Sequence, residues 1–182
     1  GKQLWDLDND VMLGAVYVPP QSNHFPSSRV SEYLMTLFEE VLCASQVSNH
    51  VLLLGDFNAK IGTLDEVADA HEHLLGSFPC LQRQRRREFS FVNTAGTLLV
   101  DLASAAGLII CTGRASGDVG QASYFQRRQD TCYPCSRPDH FLLSSALFGA
   151  VSECVVKPIV PLIDHACLSV VFNVSCEHAP KK

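Results

Sequence analysis

The ten residues Val51-Leu-Leu-Leu-Gly-Asp-Phe-Asn-Ala-Lys60 constrain this chain's fold more than any other stretch. Four consecutive apolar residues, Val51 to Leu54, have the character of a strand buried on both faces. The run breaks at Gly55 and delivers Asp56 and Asn58 to the strand end, two apart and so on one face of extended backbone. A carboxylate that accepts a proton beside a carboxamide that steers an oxygen suits phosphoester chemistry.

Two later segments have the same build. Ser136-Arg-Pro-Asp-His-Phe-Leu-Leu-Ser144 and Ile163-Asp-His-Ala-Cys-Leu-Ser-Val-Val-Phe172 each run a polar head, with an acid in it, into an apolar strand. An aspartate before a strand is also ordinary turn chemistry. Three in succession are harder to assign to turns alone.

The remaining pattern supplies layers for these strands. Met12 to Val18 is a strand stopped by Pro19-Pro20, and Val30, Leu34, Leu37, Phe38 and Val41 follow at helical spacing, with Ser27 and Ser28 placed to cap. A second helical stripe, Leu98, Leu99, Leu102 and Ala106, stops at Gly107, and Leu108 to Cys111 returns as a strand. Beyond it the expected strands are Ala122 to Gln126, His140 to Ser144, Val151 to Val156 and Ala166 to Val174, with a short helix or turn at Ser145 to Phe148. Helices among the early strands and strands alone later fit two sheets packed face to face and flanked by helices.

With 182 residues and 47% hydrophobic content the chain makes one domain with a sizeable core. A formal charge of -5 opposes approach to a polyanion, so nucleic-acid contacts need a local basic patch or metal ions. Arg83-Gln-Arg-Arg-Arg87 is either that patch or a solvated surface loop. Of 8 cysteines, Cys111, Cys154 and Cys167 sit in apolar strand context and read as small hydrophobes. Cys132-Tyr-Pro-Cys135 has zinc-like spacing without a second pair, and His71 and His73 stand two apart in a polar loop, so zinc is disfavoured at both. The expectation is a reduced, intracellular protein with no membrane span. No phosphate-cradling glycine loop or dinucleotide signature is present, the glycines from Gly113 to Gly120 marking tight turns.

These motifs together resemble the endonuclease/exonuclease/phosphatase superfamily, the fold of DNase I. The matching pieces are Gly55-Asp-Phe-Asn58, Asp139 ahead of Phe141-Leu-Leu-Ser144, Asp164-His165 and Val16-Tyr-Val-Pro-Pro20. Within the superfamily the chain is most similar to the endonuclease domain of non-LTR (LINE-type) retrotransposons, through Asn93-Thr-Ala-Gly96, Leu98-Leu99, Gly107-Leu-Ile-Ile110 and Gly113-Arg-Ala-Ser-Gly-Asp118. The resemblance implies a four-layer α/β sandwich of two mixed sheets flanked by helices, incomplete here. Its domain spans residues 1–176, and 177–182 form a tail. The family's N-terminal strands carry a metal-binding Asn and Glu, whereas Gly1 to Leu13 offers only Trp5, Asp6, Asp8, Asn9 and Asp10 in a polar approach. The expected domain therefore lacks those strands, and shows little or no hydrolysis by itself.

By resemblance, Asp56 activates or holds the attacking water, Asn58 bonds water or phosphate, and His165 contacts the scissile phosphate with Asp139 paired to it. Asp164 faces an Mg²⁺ or Mn²⁺ ion that Asp56 also reaches, and Tyr17 donates to a phosphate oxygen. Arg114, Arg85 and Arg86 are candidate DNA contacts. Ile163, His140 and Ser123 depart from the family's usual Ser, aromatic and Thr. The implied function is metal-dependent phosphodiester hydrolysis by a retrotransposon-type endonuclease, with DNA as substrate, a reverse transcriptase in the same or a neighbouring polypeptide, and the nucleus as its place. The alternatives are a catalytically dead remnant or binding module, and a phosphatase acting on inositol lipids or another small phosphoester.

Overall fold

The computed structural model describes residues 10–67, 85–86, 89–129, 131–160 and 163–173. In chain order these form β1 (Val11–Tyr17), α1 (Ser27–Val47), β2 (His50–Asp56), α2 (Thr94–Ala105), β3 (Leu108–Ile110), β4 (Tyr124–Arg128), β5 (Thr131–Ser136), β6 (Asp139–Ser144), α3 (Ser145–Phe148), β7 (Val151–Val156) and β8 (Leu168–Phe172). The early Trp5, Asp6, Asp8 and Asn9, the loop residues His71 and His73, Arg83 and Arg87 of the basic run, and Val174 lie outside the described residues.

A four-stranded sheet in the order β1-β2-β6-β3 is the frame. β1 runs parallel to β2, while β6 is antiparallel to both β2 and β3. The apolar run of β2 is split by the strand's twofold alternation. Val51 and Leu53 join the core under α1 and α2, whereas Leu52 and Leu54 face a second core built with α3, β7 and β8. β6 divides likewise, Leu142 to the helical side and Phe141 and Leu143 to the other. The chain therefore has helices, a central sheet and a second β layer, with β4–β5 and β7–β8 as two-stranded antiparallel ribbons.

Local chemistry departs from expectation in four places. β2 does not break at Gly55 but continues to Asp56, because Gly55 takes φ +147° and lets β1 come close. A Cβ there would stand 1.9 Å from the Val16 carbonyl oxygen. α1 is capped by Pro26 rather than by a serine side chain, and it extends to Val47. The segment with Cys132 and Cys135 is strand β5, which pairs with β4, and its cysteines are free. β8 begins at Leu168 rather than Ala166. No described helix is long and apolar enough to cross a membrane.

Buried charges fasten the loops. Glu66 pairs with Arg85 and Arg114 and accepts the Ile110 N–H at 2.8 Å, tying the loop after β2 to β3. Burial pushes Glu66 up, yet the two guanidinium groups outweigh it and hold its carboxyl below the usual value. Asp118 takes both terminal nitrogens of Arg137, at 2.6 and 2.7 Å, and the N–H groups of Gly113 and Gly120. Cys111 and Cys154 meet in the second core, where the hydrogen bond that the Cys111 thiol makes to Cys154 and burial push that thiol well up.

His140, expected as a departure at an aromatic position, is fully buried on the helical side of β6. Its Nε2–H donates to the Ala59 carbonyl at 2.8 Å and its Nδ1 accepts from the Thr112 hydroxyl at 2.9 Å, a pattern that requires the neutral ring. Burial drives its pKa from 6.5 to about 3. The unfolded chain binds a proton near pH 6.5 that the folded chain refuses until far lower, so this residue's contribution is intact above pH 6.5 and is lost as the pH falls. Urea unfolding between pH 7 and pH 5 should lose stability at up to roughly 1.4 kcal/mol per pH unit from this group. His140→Gln should flatten that dependence. An unchanged slope in the variant would show that His140 is not its source.

Candidate active site

The register of three strands builds the site. Tyr17 stands opposite Asp56 in the β1–β2 pair, and Asp56 stands opposite Asp139 in the β2–β6 pair. All three continue the rows that point, further along each strand, into the second core, so they form one polar row across the end of the sheet.

Asn58 reaches Asp56 by a different route from the extended spacing expected. Its backbone is left-handed, φ 46°, a conformation asparagine tolerates, and the chain folds back on the carboxylate. Its N–H donates to Asp56 Oδ1 at 2.8 Å, and its amide donates to Asp56 Oδ2 at 3.2 Å and to the Val18 carbonyl at 2.8 Å. Both amide protons are thus committed to the protein. Asn93 holds this loop from behind. Its Nδ2 donates to the Asn58 carbonyl at 2.8 Å, and its Oδ1 accepts from Lys60 and Gly96, both at 2.8 Å, the latter capping α2. Gly96 is obligatory there, since a Cβ would lie 2.0 Å from the Lys60 carbonyl oxygen.

His165 enters from the segment before β8, which bridges to Tyr124 at the start of β4. Its Nδ1 faces Asp139 Oδ2 at 3.0 Å, and its Nε2 lies 4.0 Å from Asp56 Oδ2. With Nδ1–H donated to Asp139, Nε2 is the nitrogen turned toward the cleft. The buried Ser123 hydroxyl donates to Asp139 Oδ2 at 2.6 Å, and the Tyr124 ring packs on His165 with centroids 5.2 Å apart. Ser123 carried a signal, a hydroxyl opening a strand where the family resemblance has a threonine. Tyr124 had none beyond its β propensity.

Asp56, Asp139 and His165 each offer a ligand atom within 4.8 Å of the others, and among the described residues they are the cluster able to hold a metal ion. Burial raises the Asp56 pKa, opposed by the Asn58 N–H, and Asp139 and Asp164 raise it further while His165 lowers it. Two carboxylates and an imidazole fit a hard or borderline divalent cation, which would relieve this crowding of negative charge. Asp164 sits differently from expectation. It is exposed, its carbonyl accepts the Phe125 N–H at 2.7 Å, and its carboxylate acts on Asp56 from outside the three-residue cluster. A cleft of about 320 Å³ opens over the row, walled by Tyr17, Asn58, Lys60, Tyr124 and Pro138.

The expected DNA contacts do not sit here. The Arg114 side chain is fully buried, engaged by Asp65 and Glu66, and so has no surface to offer a phosphate. The Arg85 side chain is also interior, bonded to Glu66 and to the Ile110 and Thr112 carbonyls. Arg86 is exposed, and its N–H donates to the Gly113 carbonyl. Exposed cations instead appear on the β4–β5 ribbon, which leaves the site at Tyr124 and carries Arg127, Arg128 and the half-exposed Tyr133.

No protein-family model and no curated protein matches the chain. Solved structures do. A 3'-5' exonuclease (NExo) from Neisseria meningitidis matches at TM-score 0.63 and 18% identity, over 90% of this chain and 61% of that one. A variant of the 3' phosphatase NExo from Neisseria, bound to product DNA hairpin, matches at TM-score 0.62 and 19% identity with the same coverage. This chain thus spans 61% of the length of those proteins. The endonuclease domain of TRAS1, a telomere-specific non-LTR retrotransposon, aligns at TM-score 0.48 and 18% identity over 82% of this chain and 53% of that one, too weakly to bear on the fold. With its helix-covered mixed sheet and second β layer, the chain has a DNase I-like fold, shared with the solved exonuclease structures.

Proposed function

We propose that this chain hydrolyses phosphodiesters in DNA with the help of Mg²⁺ or Mn²⁺, as an endonuclease domain of the retrotransposon type. The observation that carries the reading is the convergence of Asp56, Asp139 and His165 within 4.8 Å at strand ends, beneath an open cleft. The two Neisseria matches, an exonuclease and a 3' phosphatase with a DNA product, support nucleic-acid phosphate as the substrate class. The retrotransposon assignment rests on the Asn93-to-Asp118 motifs, whose physical meaning is now visible: Asn93 and Gly96 seat the Asp56–Asn58 loop on α2, and Asp118 locks the Gly113–Gly120 turn. A reverse transcriptase alongside it and a nuclear location belong to the same proposal.

A divalent ion held by the Asp56 and Asp139 carboxylates would neutralise charge on the phosphoryl oxygens and the leaving oxygen. The chain's own groups do the rest. Asp56, fixed by the two Asn58 donors, accepts a proton from the attacking water. Asn58 therefore acts as a positioning residue, because both its amide protons are already committed. Asp139 and Ser123 orient His165 so that Nε2 meets a phosphate oxygen, and the exposed Tyr17 hydroxyl donates to another. Arg127 and Arg128 provide backbone charge contacts outside the cleft.

Nicking of supercoiled plasmid by the 182-residue chain, slow at best by the sequence expectation, should require Mg²⁺ or Mn²⁺, and whatever rate is measured should fall to background in Asp56→Ala or His165→Ala, the loss of one acid–base group being worth about 100-fold or more. DNA affinity should be largely retained in both. A chain that binds DNA but never cleaves it would instead support the binding-module alternative, and release of phosphate from inositol phosphates in preference to DNA would support the phosphatase.

The crowded carboxylates give a second test that needs no turnover. A raised pKa means that ionising Asp56 opposes folding above that value, an effect that disappears as the pH falls through it. Without divalent ions, Asp56→Asn should melt no lower than the parent at pH 7. Millimolar Mg²⁺ or Mn²⁺ should raise the parent's Tm by several degrees and leave the variant's nearly unmoved. Equal metal-induced shifts in both proteins would remove Asp56 from the metal site.

A further inference from the structure

We infer that the groove between α1 and α2 is a docking site for a basic amphipathic helix of a partner polypeptide. The groove, about 180 Å³, runs over the helical layer, with Leu34 and Phe38 of α1 and Leu98 and Leu102 of α2 as its floor. It shares no lining residue with the Asp56–His165 cleft. The row of Tyr17, Asp56 and Asp139 belongs to the second-core side of the central sheet, so an occupant of the groove leaves the cleft open.

The α1 bank is apolar where a solvent-facing helix is ordinarily polar. Met35 is 57% exposed and Leu42 40% exposed, and with the half-buried Phe38 they fall at i, i+3 and i+7, one stripe along the groove. Met35 and Leu42 add little to the core below, which Val30, Leu34 and Val41 fill. An exposed stripe of this spacing receives the matching stripe of another helix, whose apolar side chains enter between the two banks.

Charge decides the occupant. Exposed Glu32 and Glu39 flank the stripe on α1, and exposed Asp101 stands on the α2 bank. None of the three forms an ion pair among the described residues. The two helices carry no lysine and one arginine, Arg29, which does not line the groove. An acidic frame around an apolar floor repels a second copy of this face, a nucleic acid or an anionic membrane, and suits a leucine-type stripe flanked by lysine or arginine. Such a partner also brings cations to a chain whose formal charge of -5 opposes approach to a polyanion. The docking itself does not depend on the hydrolytic function proposed above.

The test titrates the full chain with synthetic fluorescent peptides of equal length. One has leucines at i, i+3, i+4 and i+7 with lysines elsewhere, the second has the same residues in scrambled order, and the third keeps the leucine stripe with glutamates for lysines. The parent should bind the leucine–lysine helix at least about tenfold more tightly than either control, the scale of burying one large apolar side chain. Met35→Gln with Leu42→Gln should remove the advantage over the scrambled peptide and leave the affinity for the scrambled peptide unchanged. Glu39→Lys with Asp101→Lys should turn the preference over to the leucine–glutamate helix. All four side chains are exposed, so both variants should melt like the parent. Equal binding of ordered and scrambled peptides by the parent, or an advantage that survives the glutamine variant, overturns the inference. Sedimentation of the parent alone supplies one more outcome: a dimer that the glutamine variant abolishes gives the groove to a second copy and overturns the basic partner.

Discussion

The antiparallel pairing of β2 with β6 is the constraint on which the rest depends. It sets Asp56 opposite Asp139 and, through the parallel β1, Tyr17 opposite Asp56. The same register sends Leu52, Leu54, Phe141 and Leu143 into the second core. A slip of one residue would turn these apolar side chains to the helical face and the aspartates with them. Core packing and site geometry are therefore the same choice, enforced by every buried leucine along β2. Gly55 adds a local lock, because no other residue lets β1 and β2 approach as closely beside the site.

Around this frame, loops are held by buried charge rather than by apolar contact. Glu66 with Arg85 and Arg114, and Asp118 with Arg137, are paired inside the protein and supplemented by backbone donors. Such pairs return little net stability, yet deleting one partner strands the other and costs on the order of 3–5 kcal/mol. Their effect is to fix loop paths. The loop after β2 is bound to β3, and the Gly113–Gly120 turn is closed on Asp118. His140 works the same way without charge, joining the loop behind Asn58 to Thr112.

Much of this was legible in the residues, and the failures have physical causes. Continuous apolar runs and helical stripes marked β2, β6, β7, α1 and α2 because each buries its side chains in a layer. β5 was not legible, since Pro134 and two cysteines carry no strand pattern and its partner is the edge of a ribbon. The aspartates stood out because acids at strand ends repeat along the chain. Of their supports, Ser123 and Asn93 stood out only through the family resemblance and Tyr124 not at all, because their contacts span 16 to 41 residues of separation, which no local pattern encodes. Arg114 misled for a related reason. An arginine in a glycine-rich turn looks solvated until Glu66, 48 positions earlier, is found to be buried against it.

The two facing carboxylates are not equivalent, and their difference organises the chemistry. Asp139 is satisfied by a serine hydroxyl and an imidazole, partners that fix its position and that of His165. Asp56 has the Asn58 donors on one side, with His165 Nε2 only at 4.0 Å on the other and two further acids raising its pKa. Folding thus leaves one carboxylate structurally committed and the other carrying uncompensated charge at the mouth of the cleft. A cation placed there would relieve repulsion already built into the sheet register. The strand pairing that secures the core thus also creates the electrostatic deficit at the mouth of the cleft.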